Sequence, residues 1–177
     1  PQSDIDVIFL YEGDRQAISN GQKQLSCTHY YQRLAQRLVS WITSKTANGI
    51  LYEIDTRLRP DGTAGPLATH FESWQHYLDN TAWPFEKLAL HKARILGGDN
   101  RTFTHRITQK LAAITNAPLA RDAAIKDITL LRQKLAAKPQ TQWDFKKRAG
   151  GLLDCEFLRY LDDETGKDIE ALWHHLT

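Results

Sequence analysis

Hydrophobic and polar positions along the chain alternate between two periods. In Asp4-Ile-Asp-Val-Ile-Phe-Leu-Tyr11, Ile5, Val7 and Phe9 fall on one side and Asp4 and Asp6 on the other, the two-residue repeat of a strand. The same repeat returns in Leu51-Tyr-Glu-Ile-Asp-Thr-Arg-Leu-Arg-Pro60. It predicts a strand over 50–58 with Glu53, Asp55, Arg57 and Arg59 facing one way and Tyr52, Ile54, Thr56 and Leu58 the other. Between them, residues 12–24 are polar and contain Gly13 and Gly21, the composition of a surface loop. Tyr31, Leu34, Leu38 and Ile42 then recur at helical spacing. They predict a helix over 28–46 that covers a sheet with this face and leaves Arg33, Arg37 and Lys45 outside. Asn48-Gly49 closes that helix as a left-handed cap and completes a strand–helix–strand unit.

Downstream, the pattern turns helical. Pro60-Asp-Gly-Thr-Ala-Gly-Pro66 is a turn-rich loop, and Thr69-x-x-Glu72 has the spacing of a capping box that opens a helix bearing Phe71, Trp74, Tyr77 and Leu78. A second helix is predicted over Trp83 to Leu96, with Pro84 in its first turn and Gly97-Gly98-Asp99 as its stop. Two amphipathic helices follow, 100–115 and 121–137, divided by Asn116-Ala-Pro118 and striped by Ile107, Leu111 and Ile114, then by Ile125, Ile128, Leu131 and Leu135. The expected architecture is therefore α+β: residues 1–98 form a mixed sheet flanked by helices, and 99–177 begin a helical bundle. The last twenty residues, with Ile169, Leu172, Trp173 and Leu176, read as helical but fit the rest poorly.

Composition narrows the class. Of 177 residues, 41% are hydrophobic and 25% charged, mean hydropathy is −0.51, and the net charge of +2 is too small for nucleic-acid binding to be the main task. No apolar run approaches the ~20 residues of a membrane span, no secretory signal opens the chain, and Cys27 and Cys155 are too far apart for a metal-ligand pair, so a cytoplasmic protein with free thiols is expected. The chain contains no methionine and opens almost inside a strand, which reads as a piece of a longer protein.

Candidate chemistry collects on the two charged strands. Asp4 and Asp6 present carboxylates side by side, enough to bridge magnesium, although Asp-x-Asp is frequent by chance. Asp55 adds a third carboxylate, and Arg57 and Arg59 beside it suit phosphate oxygens, while a charged solvated edge is the plain alternative. Three carboxylates on neighbouring strands are what two-metal nucleotidyl transfer requires. Arg94 shares a predicted helix face with Glu86 and Leu90, as an ion pair or as the wall of a site. Lys146 belongs to a basic run that meets Gly150-Gly151 at a helix start, a setting for phosphate in which Asp154 and Glu156 serve equally well as partners of the helix dipole.

Five blocks taken together resemble the glutamine synthetase adenylyltransferases: SDIDVIFLY, YYQRLAQRLV, GILYEIDTRLRPDGTAGPL, NTAWPFEKLALHKARILGGD and DFKKRAGGLLDCEF, in order over residues 3–158. The resemblance implies a polymerase-β-like nucleotidyltransferase fold and transfer of AMP from ATP to a tyrosine of glutamine synthetase. Of the family's two homologous halves, the blocks Gly49–Asp55 and Asn80–Arg94 look more like the attaching one. The removing half, which releases ADP by phosphorolysis, and a non-catalytic docking module are the alternatives. Carried over by position, the resemblance makes Asp4 and Asp6 the magnesium ligands and Asp55 the third carboxylate, suited to deprotonate the incoming tyrosine. Ser3, Arg57, Arg59, Arg94 and Lys146 become candidates for nucleotide phosphates. Glutamine synthetase, a PII-type signalling protein and ATP are the implied partners. The superfamily's Gly-Gly/Gly-Ser turn, which lies before Asp-x-Asp, is not among these residues, and Gln2 stands where the family has glycine. Weak ATP binding by this stretch alone is the expectation.

Overall fold

A computed structural model describes residues 4–47, 49–50, 52–98, 100–117, 121–136 and 145–162. The chain forms two compact units, Pro1–Ala82 and Trp83–Thr177. Helices mix with small, mostly parallel ladders, an α+β arrangement.

In the first unit the expected strand over residues 4–11 is two strands, β1 (Ile5–Asp6) and β2 (Phe9–Tyr11), with different partners. β1 pairs in parallel with β5 (Ile54–Asp55), and β2 in parallel with β6 (Ala68–His70). Between them lie α1 (Cys27–Thr43) and an antiparallel pair, β3 (Lys45–Thr46) with β4 (Gly49–Ile50). The strand expected over 50–58 is correspondingly reduced to β4 and β5, because backbone pairing ends at Asp55 and the chain turns, with the Arg59 N–H reaching the Arg57 carbonyl at 2.8 Å.

Ser26, not a residue within the helix, caps α1 by accepting from the His29 N–H. The face of α1 turned to the sheet also differs from the expected one. Cys27 and Ala35 are buried with Tyr11 and Ala68, and Tyr31 stacks on Tyr11 at 4.5 Å, whereas Leu34 and Leu38 are exposed. The small Ala35 lets the helix approach β6, and Gln32 fixes the rotation: its side chain donates to the Ala68 carbonyl at 2.6 Å and accepts the Ala68 N–H at 3.2 Å. Burial raises the pKa of the Tyr31 hydroxyl, with Cys27 and Tyr30 adding to the effect.

β6 leads directly into α2 (Phe71–Asn80), which packs on β2 and β6 and buries Phe71, Trp74 and Leu78. Each such side chain contributes about 1.5–3 kcal/mol of hydrophobic stabilisation. The expected capping box does not form. Thr69 is a buried strand residue, and His70 is the N-cap, its Nδ1 accepting the Glu72 N–H at 3.3 Å.

The described elements of the second unit are helices: α3 (Pro84–Leu90), α4 (Arg101–Thr115), α5 (Arg121–Ala136) and α6 (Leu152–Asp162). α3 packs on α4 and α5, and α5 on α6; Ala124 and Ile128 of α5 form a core with Phe157, Leu158 and Leu161 of α6, and Leu88 of α3 packs against it. α3 stops at Leu90, six residues short of the expected end, so Arg94 lies beyond the helix, while Glu86 caps α3 by accepting the Trp83 N–H at 2.8 Å. Asn100 caps α4, accepting the Phe103 N–H at 3.1 Å. Asp154, fully buried, lies 3.0 Å from the Nε of Arg132 as an ion pair and accepts the Gly150 N–H at 2.8 Å. No helix among the described residues is long and apolar enough to cross a membrane. The C-terminal stretch with Ile169, Leu172, Trp173 and Leu176 lies outside the described residues.

Candidate functional site

The β1–β5 ladder decides where the charged residues meet. Its register sets Ile5 opposite Ile54 and Asp6 opposite Asp55, held by the Ile5 N–H on the Glu53 carbonyl at 2.9 Å and the Val7 N–H on the Asp55 carbonyl at 2.8 Å. Neighbouring strands lie about 4.8 Å apart, and partners in register project to the same face. Asp6 and Asp55, about fifty residues apart in sequence, are therefore lateral neighbours. Asp4, exposed and two residues before Asp6, comes from the same side of the run.

Like charges side by side on a ladder repel, so this arrangement calls for a cation, and Arg57 supplies one. Its main-chain N–H donates to Asp55 Oδ1 at 2.8 Å, its Nε lies 2.9 Å from Oδ1 and 2.7 Å from Oδ2, and its Nη2 also reaches Oδ2. The Asp55 side chain is 13% exposed and that of Arg57 71%. The hydrogen bond from the Arg57 side chain holds the Asp55 carboxyl below its ordinary pKa; burial opposes this, and the main-chain bond and the charges of Arg57 and Arg59 assist it. The Arg57 guanidinium is raised in turn, first by its bond to Asp55 and further by the charges of Asp4 and Asp6. Asp55 is thus the carboxylate that balances this arginine.

Arg59 turns the other way. Its guanidinium donates to the Thr56 carbonyl, to Thr56 Oγ1 at 2.8 Å and to the Gly65 carbonyl at 3.3 Å, and so closes the loop after β5. Asp61 and Gly62 in that loop are left-handed, at φ 60° and 55°, and a Cβ at Gly65 would overlap the Pro60 carbonyl. The loop is thus a tied structure at the mouth of the Asp6–Asp55 ladder.

Of the remaining candidates, Ser3 lies outside the described residues, and Arg94 and Lys146 belong to the second unit. Lys146 sits in the turn before α6, where the first helical N–H groups already have partners: Leu152 bonds the Phe145 carbonyl at 2.9 Å and Leu153 the Lys146 carbonyl at 3.1 Å. Gly151 allows this winding, since a Cβ there would come within 2.8 Å of the carbonyls of Arg148 and Phe145. The contact between Arg57 and Asp55 is what sequence reasoning missed. Its signal was the Asp-x-Arg spacing itself: the chain turns after Asp55, and the carboxylate accepts the main-chain N–H two residues on, which brings the Arg57 side chain back to it.

For a metal, the donor set of Asp4, Asp6 and Asp55 is anionic oxygen, the chemistry of a hard divalent cation such as magnesium. Among the described residues no three His, Cys, Asp or Glu side chains are drawn together as a ligand cluster, and Asp55 is engaged by Arg57. The donors fit the ion in kind, with Arg57 standing in the place of one positive charge.

Comparison with known proteins places the chain in a family. The family model described as glutamate-ammonia ligase adenylyltransferase matches residues 1–110, which include both strands of the ladder and the loop that follows β5. The chain belongs to this family. Among its relatives, the bifunctional glutamine synthetase adenylyltransferase/adenylyl-removing enzyme of Brucella suis is 40% identical over 159 residues, 88% of this chain and 16% of that protein. The enzyme of the same name from Mesorhizobium japonicum is 41% identical over 172 residues, 93% of this chain and 17% of that protein. This member of the adenylyltransferase family therefore spans about a sixth of the length of the curated relatives it matches.

Proposed function

We propose that Pro1–Ala82 carries a nucleotidyl-transfer site of the polymerase-β-like kind, which moves AMP from ATP to a tyrosine hydroxyl of glutamine synthetase in the cytoplasm. The observation that carries the reading is the register of Asp6 against Asp55, with Asp4 two residues earlier. The names of the relatives supply the substrate and the reaction class.

In this reading Asp4, Asp6 and Asp55 would hold magnesium. The bound ion would neutralise phosphate charge and lower the barrier to attack at the α-phosphorus. The tyrosine oxygen forms the new bond to that phosphorus, the bond to the β-phosphate oxygen breaks, and pyrophosphate leaves. In this reading Asp55 would take the tyrosine proton, but Arg57 on its oxygens makes it a weak base, so the contact would have to loosen before the proton moves. Arg57 offers a planar fork for phosphate oxygens. Arg59 acts through the loop it ties rather than on the nucleotide.

The attaching direction is favoured by the blocks Gly49–Asp55 and Asn80–Arg94. Two incubations separate it from the removing direction. Glutamine synthetase with α-labelled ATP and magnesium should become labelled; AMP-modified glutamine synthetase with phosphate should not release ADP. Release of ADP without labelling would reverse the assignment.

A further inference from the structure

We infer that Arg57 is a positioning residue that holds Asp55 until a divalent cation arrives and then gives the carboxylate up, so that metal binding here is an exchange of one cation for another. The inference rests on the AMP-transfer reading of Asp4, Asp6 and Asp55.

Two observations carry it. Both Asp55 oxygens are used by Arg57: Oδ1 by the main-chain N–H and Nε, Oδ2 by Nε and Nη2. A divalent ion that takes this carboxylate as a ligand competes for the same lone pairs, because a carboxylate has only about four acceptor sites. Next, the two partners differ in exposure, 13% for Asp55 and 71% for Arg57. The carboxylate is fixed in the ladder and largely buried, while the guanidinium can swing into solvent, so the arriving cation rather than water takes over the charge that Arg57 leaves. Once released, the guanidinium remains two residues from Asp55, in reach of whatever phosphate the metal brings, and its fork matches a pair of phosphate oxygens.

The pair is weak enough for such an exchange, since its arginine is mostly in water, and an ion pair of that kind shifts an equilibrium by less than about ten-fold. A structural ion pair would make the opposite prediction, that removing Arg57 harms the site. The test is titration with Mn²⁺, followed by the electron paramagnetic resonance of the free ion, on the whole chain and three variants. Arg57→Gln should bind Mn²⁺ about three-fold more tightly than wild type, the scale of an exposed pair. Arg57→Lys should gain less, because it keeps the charge and loses the fork. Adding Asp55→Asn to Arg57→Gln should abolish the gain. Equal or weaker binding by Arg57→Gln, beside measurable binding by wild type, overturns the exchange and leaves the metal reading standing. A gain that survives Asp55→Asn also overturns it, since Arg57 would then act on Asp4 and Asp6 alone. If neither wild type nor any variant binds Mn²⁺, the metal reading falls and the exchange falls with it.

Discussion

The two units each contain an arginine–aspartate pair, and the pairs are built on opposite principles. In the helical unit, Arg132 and Asp154 are 8% and 0% exposed, and each is also tied to backbone: Arg132 to the Lys147 carbonyl at 2.6 Å and Asp154 to the Gly150 N–H. In the first unit, Arg57 and Asp55 are joined through more bonds, yet the arginine is mostly in water. Bond counting would rank the second pair as the stronger. Burial reverses the ranking, because removal of one partner of a buried pair strands the other charge in a poor solvent, whereas an exposed arginine simply rehydrates. The difference teaches what each pair is for: Arg132–Asp154 locks a turn, and Arg57–Asp55 can be opened.

Asp154→Ala separates the two pairs most sharply. The variant should lose about 3–5 kcal/mol in denaturant unfolding, the range for an uncompensated buried charge. A loss below about 1 kcal/mol would mean that the burial of Arg132 does not matter. Gly151→Ala probes the same turn from the backbone. Its Cβ would press on the carbonyls of Arg148 and Phe145, each at 2.8 Å, and should cost about 1–3 kcal/mol by overpacking. Asp55→Asn, measured in the same way, should cost less than about 1 kcal/mol. If it costs as much as Asp154→Ala, the two pairs are not different in kind.

The smallest expected effect is with pH. Arg57 lowers the Asp55 pKa below the ordinary 3.8, so the folded state binds that proton less readily than the unfolded chain. The stability due to the pair is therefore complete above about pH 4 and fades as pH falls through the lower folded value. Wild type should lose slightly more stability than Asp55→Asn in acid unfolding between neutral pH and pH 3. Parallel curves would show that the contact contributes nothing.

How far the sequence discloses this depends on the range of each interaction. α4 and α5 lie almost where the apolar stripes of Ile107, Leu111 and Ile114 and of Ile125, Ile128 and Leu131 put them, because a helix is fixed by neighbours three and four residues apart. Strands are completed by distant partners. The run 4–11 has one period but two partners, β5 and β6, and no local pattern shows the break at Val7 and Ile8. The face of α1 was missed for a similar reason: Leu34 and Leu38 outrank Ala35 in hydrophobicity, but the Gln32 contacts with Ala68, 36 residues away, set the rotation. At the candidate site, the three aspartates stand out as residue types on the page of the sequence. The direct neighbourhood of Asp6 and Asp55 needs the ladder, and the loop-closing part of Arg59 needs the left-handed turn at Asp61 and Gly62. The ion pair of Arg132 with Asp154, across 22 positions and two helices, had no local signal at all.

The central claim is that the Asp6–Asp55 ladder is the seat of AMP transfer. Its most direct test is labelling of glutamine synthetase from α-labelled ATP by wild type and by Asp6→Asn, with the melting temperature of each recorded alongside. Asp6→Asn should abolish labelling while its melting temperature stays within a few degrees of wild type. Labelling by Asp6→Asn at the wild-type rate would contradict it.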